Sequence, residues 1–181
     1  MAGPVIGAGA ALVEALPQML PRLWAFALRL SDDTHDAADL VQLSCLRALE
    51  RSHHLQPDTA PLSWMFSILH TMWLNELRAR RVRQRSRVEW DDELVDTVPD
   101  ETASDPLAEA MHAQIIREVQ RLPDAQRAVM LLVAVEGLSY QEAADTLGVP
   151  IGTVMSRLSR ARQAIGERFG TPPRAKVSRT T

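Results

Sequence analysis

The sequence predicts an all-α protein: two small helical domains joined by a flexible acidic linker, the C-terminal one a helix-turn-helix. Three observations lead there. Apolar residues recur at spacings of three and four through most of the chain, whereas aromatics make up only 4% of it and β-branched runs are scarce. Charge is partitioned: residues 1–85 carry 9 basic and 8 acidic side chains, residues 86–110 carry 1 and 9, and residues 111–181 carry 10 and 6. The blocks are therefore +1, −8 and +4 within a total of −3, an acidic connector between two near-neutral or basic parts. Finally, Gly137 to Arg168 read as two helices with one tight turn. A chain of 181 residues, 46% of them apolar, can build one core or two small ones.

The elements follow in order. Residues 1–10 are rich in glycine and alanine and are expected to fray. A first helix is predicted from about Ala11 to Leu30, with Leu16, Leu20, Leu23, Ala27 and Leu30 on its repeat. Pro17 or Pro21 is expected to start its ordered part, with a separate turn before it. Ser31 to Thr34 break the chain and end in capping residues. A second helix then runs from about His35 to Arg51, with Asp36 and Asp39 near its first turn, where the helix dipole favours carboxylates. Ala37, Leu40, Val41, Leu43, Ser44 and residues 46–49 make it apolar over much of its girth.

After a polar loop, Ser52 to Ala60, Pro61 suits the start of a third helix. Leu62, Met65, Phe66, Leu69, Met72 and Trp73 form its core face, and Trp64, Ser67, Thr71, Asn75 and Arg78 a surface line. Arg78, Arg80, Arg81, Arg83, Arg85 and Arg87 crowd its end. A run of arginines is often only a solvated face. Six in ten residues, one turn after a tryptophan and an asparagine, point to a polyanion, and aromatics beside cations suit unstacked single-stranded bases.

Residues 88–106 lack a helical period and read as the linker. A helix follows to about Arg121, with Met111, Ile115, Val119 and Leu122 inward. Pro123 opens another, Asp124 to Glu136, whose apolar girth requires burial between the neighbouring helix and the helix-turn-helix. Ser139 caps the next helix, and Glu142 completes a capping box. Ala143, Ala144 and Leu147 give it a small apolar face. Gly148 suits the left-handed position that ends a helix, and Pro150 the first turn of the last one. In that helix Val154, Leu158, Ala161 and Ile165 form a narrow apolar stripe. Thr153, Ser156, Arg157 and Arg160 lie together more than a quarter-turn away, an array of hydroxyls and guanidinium groups suited to a DNA major groove. A solvated basic face is the plainer alternative. The expected boundaries are 1–87, 88–106, 107–170 and a flexible tail, 171–181.

Several classes are disfavoured. The single cysteine, Cys45, permits no internal disulfide and falls in a helical apolar pattern. No apolar run reaches the length of a membrane span, and Met1 to Ala15 lack the basic region of a signal peptide. The five histidines make no metal-ligand spacing with Cys45. No cofactor, metal or small-molecule substrate is expected.

The order of motifs resembles the extracytoplasmic-function (ECF) sigma factors, the sigma-70 group reduced to domains 2 and 4. The resemblance rests on Asp36-Ala37-Ala38-Asp39-Leu40-Val41-Gln42, Trp64 to Leu69, Asn75-Glu76-Leu77-Arg78, Leu122-Pro123, Gly137 to Ala144 and Gly152 to Arg162, and covers about residues 11–170. It implies a cytoplasmic promoter-specificity subunit without catalysis of its own, bound to core RNA polymerase and promoter DNA. Asp39, Leu40, Gln42, Leu43 and Leu46 would dock on the polymerase clamp. Residues 53–61 with Trp64, Asn75, Arg78 and Arg81 would open the −10 element and hold its single strand. Ser139, Tyr140, Gln141, Thr153, Ser156, Arg157 and Arg160 would read the −35 duplex. The resemblance also implies an anti-sigma protein covering residues 35–87 and 150–168. Ala38, His70-Thr71 and Met155 depart from residues common in the family. Two other classes compete. A stand-alone helix-turn-helix regulator explains Gly137 to Arg168 but not the arginine-rich helix. An enzyme would need a catalytic constellation, and the sequence offers none.

Overall fold

The computed structural model describes residues 8–55, 59–86 and 106–169. Its regular elements there are all helical: α1 (Ala8–Ser31), α2 (Thr34–Glu50), α3 (Pro61–Ser86), α4 (Pro106–Gln120), α5 (Asp124–Met130), α6 (Tyr140–Leu147) and α7 (Ile151–Arg168). A 3-10 turn, Ser52–His54, follows α2, and a π-helical turn, Leu131–Val135, continues α5. The chain divides into two compact units, one holding α1–α3 and the other α4, α5 and α7. The anticipated linker lies outside the described residues except for Pro106, as do Arg87, residues 56–58 and the tail at 171–181.

In the first unit three helices pack on one another. Leu23, Phe26, Ala27 and Leu30 of α1, Ala37, Leu40, Val41 and Ala48 of α2, and Met65, Phe66, Leu69 and Trp73 of α3 are buried. Phe26 and Phe66 meet in a tilted pair with ring centroids 4.8 Å apart. The fully buried Ser44 donates to Met72 Sδ at 3.5 Å, so the one hydroxyl on the inner face of α2 is satisfied. Asp32, at φ 60°, ends α1, and the Asp33 carboxylate caps α2 by accepting from the Asp36 amide at 2.8 Å. Contrary to expectation, α1 runs straight through Pro17 and Pro21. Both prolines are exposed, so the carbonyls of residues 13 and 17 that lose their amide partners lie on the wet side of the helix. Burial of Leu12 and Met19 on the other side holds the helix together across them.

In the second unit α7 packs on α5 and α4. Val119, Leu122, Ala128, Val129, Leu131, Leu132, Val154, Leu158 and Ala161 are buried. One expectation fails and another holds only in part. Met111 and Ile115 are 58% and 39% exposed instead of inward, whereas Glu118 and Val119, further along α4, are buried. The helix opened by Pro123 does pack against α4 and α7, but at the end of its apolar run Ala134 and Val135 are exposed. The π turn is the cause. The Glu136 amide reaches back five residues to the Leu131 carbonyl at 2.9 Å, and the wider turn rotates the following side chains out of the stripe.

Candidate nucleic-acid interface

The helix-turn-helix is built locally as its residues dictate. The Ser139 amide donates to the Glu142 carboxylate at 2.7 Å, and the Glu142 amide donates to the Ser139 hydroxyl at 3.2 Å. This is the reciprocal capping box, and the Ser139 hydroxyl and amide hold the Glu142 carboxyl below its usual pKa. Gly148 takes φ +63°, and the Val149 amide returns to the Ala144 carbonyl at 3.0 Å to close the helix. Pro150 is the residue before α7, one position earlier than a first-turn proline, and its carbonyl accepts from Thr153 at 2.8 Å.

On α7, Ser156 and Arg160 are exposed, and the side chains of Arg157 and Arg160 make no ion pair or hydrogen bond among the described residues. Thr153 and Arg157 are half-buried. Arg157 lies four residues before the buried Ala161, roughly 40° round the helix, so it flanks the packing stripe instead of opposing it. The outer face is thus centred on Ser156 and Arg160. Ser139 and Gln141 are exposed and Tyr140 half-buried at the start of α6.

A latch that the sequence did not signal fixes α7 at its far end. Glu118 of α4 is buried and accepts from Arg121 at 2.7 Å and from Arg168 at the end of α7. Arg168 foremost, and Arg121 with it, hold the Glu118 carboxyl below the ordinary range, although burial pushes it up. Partners fifty positions apart share no local pattern, so no periodicity could have found them.

In the first unit the outer face of α2 carries Asp39, Gln42, Leu43 and Leu46, all exposed, with Leu43 at 50% and Leu46 at 55%. Leu40 does not belong with them. It is 6% exposed and packs inside the helical bundle, so a surface role for it is corrected to a core one. Leu49 joins the outer face at 40%. Cys45 is half-buried, and burial raises its thiol pKa.

Of the surface line of α3, Thr71, Asn75 and Arg78 are exposed, as is Arg81, while Trp64 and Ser67 are half-buried. Arg78 donates to Asn75 Oδ1 at 2.9 Å. The arginine run, however, divides. Arg80 donates to Glu76 at 2.9 Å and to Asp36 of α2 at 2.5 Å, with its guanidinium 5.5 Å over the Trp73 ring. Arg83 donates to Glu76 at 2.6 Å. Arg80 and then Arg83 hold the Glu76 carboxyl below its ordinary pKa. The signal was available: Arg80 lies seven residues after Trp73 and eleven after Leu69, on the core line, while Arg78 and Arg85 fall on the far side. His53 and His54 are exposed beyond α2, with ring centroids 4.1 Å apart.

Among the described residues no cluster of His, Cys, Asp or Glu could hold a metal, and no helix is long and apolar enough to cross a membrane. The exposed faces are cationic and polar on α3 and α7 and mixed apolar and acidic on α2.

Comparison with known proteins gives the same two parts in the same order. Residues 17–83 match the family Sigma-70 region 2, and residues 112–165 match Sigma-70, region 4. The ECF RNA polymerase sigma factor EcfG of Rhodopseudomonas palustris is 35% identical over 149 residues, covering 81% of this chain and 78% of that protein. The ECF RNA polymerase sigma factor SigE of Mycolicibacterium smegmatis is 36% identical over 158 residues, 84% of this chain but 59% of that longer protein. A solved structure of the sigma factor RpoE in complex with the anti-sigma factor NepR, from Bartonella quintana, is similar with a TM-score of 0.76 and 29% identity, covering 88% of this chain and 96% of RpoE. CnrH, solved in complex with the cytosolic domain of CnrY, shares the fold at a TM-score of 0.62 and 22% identity.

Proposed function

The chain belongs to the sigma-70 family, in its ECF group, and on that footing we propose that it is a promoter-specificity subunit of RNA polymerase. The observation that carries the reading is the pairing in one chain of a region 2 bundle and a region 4 helix-turn-helix, each with an exposed polar face that its own core does not need. Asp39, Gln42, Leu43 and Leu46 on α2 dock on core polymerase. Trp64, Asn75, Arg78 and Arg81 on α3 hold the separated −10 strand, the indole stacking on a base and the cations following the backbone. Arg160, Ser156, Arg157 and Thr153 of α7, with Ser139, Tyr140 and Gln141 at the start of α6, meet the −35 duplex. The protein acts in the cytoplasm with polymerase and carries no catalysis itself; the polymerase makes the RNA.

Two relatives in fold were solved with anti-sigma partners, which supports the same mode of control here. The apolar outer side chains of α2, Leu43, Leu46 and Leu49, are what a partner helix could cover. A stand-alone duplex-binding regulator leaves the region 2 match without a purpose. The deciding experiment is reconstitution with core polymerase from the source host. A complex that initiates from promoters that core alone ignores is the expected result; absence of any complex refutes the reading.

A further inference from the structure

We propose that Arg80 is a positioning residue that locks the promoter-strand helix α3 to the polymerase-docking helix α2, and that it does not itself hold DNA. The proposal rests on the functional reading above and adds to it how the two surfaces of the first unit are kept in register.

Arg80 sits within the arginine run of α3, where a count of charges assigns it to nucleic acid. Its geometry says otherwise. The guanidinium reaches across to Asp36, in the first turn of α2, at 2.5 Å, and along its own helix to Glu76 at 2.9 Å. Its Cζ lies over the ring of Trp73, 5.5 Å from the centroid, and Trp73 is buried. A planar fork with two carboxylates and a ring beneath it is held in one orientation, and lysine cannot reproduce that. Glu76 also accepts from Arg83, so the cation that reaches α2 is itself braced by a charge cluster on α3. Arg78 projects from the opposite side of α3, roughly 160° away at 100° per residue.

The consequence is mechanical. Asp36 lies three residues before Asp39, on the side of α2 that turns toward the core, while Asp39 looks outward. An ion pair at Asp36 therefore ties the base of the docking face to the half of α3 that carries Asn75, Arg78 and Arg81. Trp73 is the last buried residue of α3 among the described ones; Val82 and Arg83 beyond it are exposed, and the Arg80–Asp36 ion pair ties this stretch to α2. Release would let the basic end of α3 swing relative to a docked α2 without unfolding the bundle.

The two roles give opposite signs at Asp36. A carboxylate near promoter DNA repels it, so Asp36→Asn strengthens DNA binding if only net charge matters. If Asp36 anchors Arg80, the same change misplaces α3 and weakens opening. The test uses full-length chain bound to core polymerase and promoter fragments selected by the wild-type holoenzyme from a random library. Open complex is read by permanganate reactivity of unpaired thymines and core affinity is read separately. Asp36→Asn and Arg80→Lys are each expected to lower the open-complex equilibrium about fivefold, the scale of a partly exposed ion pair, with core affinity and the salt slope of promoter binding unchanged. The exchange Asp36→Arg with Arg80→Asp restores opening. A gain in opening for Asp36→Asn, or an exchange that opens no better than Arg80→Lys, overturns the proposal. So does a salt slope smaller by about one in the exchange, which removes the cation from position 80, the mark of a lost phosphate contact. A wild-type chain that fails to bind core polymerase overturns the functional reading and this proposal together.

Discussion

Replacing Arg160 with alanine isolates the recognition face of α7 from its packing. The side chain is exposed and makes no ion pair or hydrogen bond among the described residues. Alanine is also the best helix former, so the fold loses little: a stability change within about 0.5 kcal/mol is expected. Binding is different. If the guanidinium grips a base edge with two hydrogen bonds, its loss costs about 1–3 kcal/mol, which is roughly 5- to 150-fold in Kd, concentrated on sequences with the cognate base. If it touches a phosphate, affinity falls for all sequences alike and the salt slope drops by about one. The assay is fluorescence anisotropy of the full-length chain with −35 duplexes, cognate and singly substituted, across a salt series, beside thermal unfolding of the same samples. Unchanged affinity for every duplex, with unchanged unfolding, would refute the placement of the DNA-facing side of α7 at Ser156 and Arg160.

Other outcomes test the remaining parts. Asp39→Arg on the outer face of α2 should weaken core-polymerase binding at least tenfold in a pull-down titration, with an unaltered circular dichroism spectrum; Leu40→Ala should instead lower the unfolding temperature, because Leu40 is in the core. Phe66→Ala, which empties the partner of Phe26, should cost about 3–5 kcal/mol in denaturant unfolding of the first unit. Glu118, Glu142 and Glu76 all have native pKa values below their unfolded ones. Their stabilisation is complete well above an unfolded carboxyl pKa of about 4.3 and is lost as pH falls through the native values. Chemical unfolding midpoints should therefore fall on acidification below that pH, and Glu118→Gln should flatten the fall. Gly148→Ala places a side chain at φ +63° with open space around it, so its cost of about 1–2 kcal/mol is backbone strain alone; recovery with Gly148→Asn, which tolerates that conformation better, would show it.

The sequence by itself determined whatever depends on neighbours along the chain. Helix periods placed Phe66, Leu69, Val154 and Leu158 in the cores. Ser139 and Glu142 specified their capping box, Gly148 its left-handed turn, and the order of motifs the family. These are local because a cap, a turn or an amphipathic stripe is satisfied within one or two turns of chain. Only the tertiary structure decided which apolar and charged side chains find partners across helices. Leu40 and Leu43 are both leucines on α2, yet one is core and the other surface, because α1 and α3 cover only part of that helix. Met111 and Ile115 keep the period of a buried face on a stretch of α4 left uncovered. Arg78 and Arg80 look alike in the run, but the carboxylate of Asp36, 44 residues earlier, claims Arg80. Glu118 and Arg168, 50 residues apart, anchor the recognition helix in the same way. Coulombic and hydrogen-bonding partners are chosen by distance in space, and only the folded chain sets that distance.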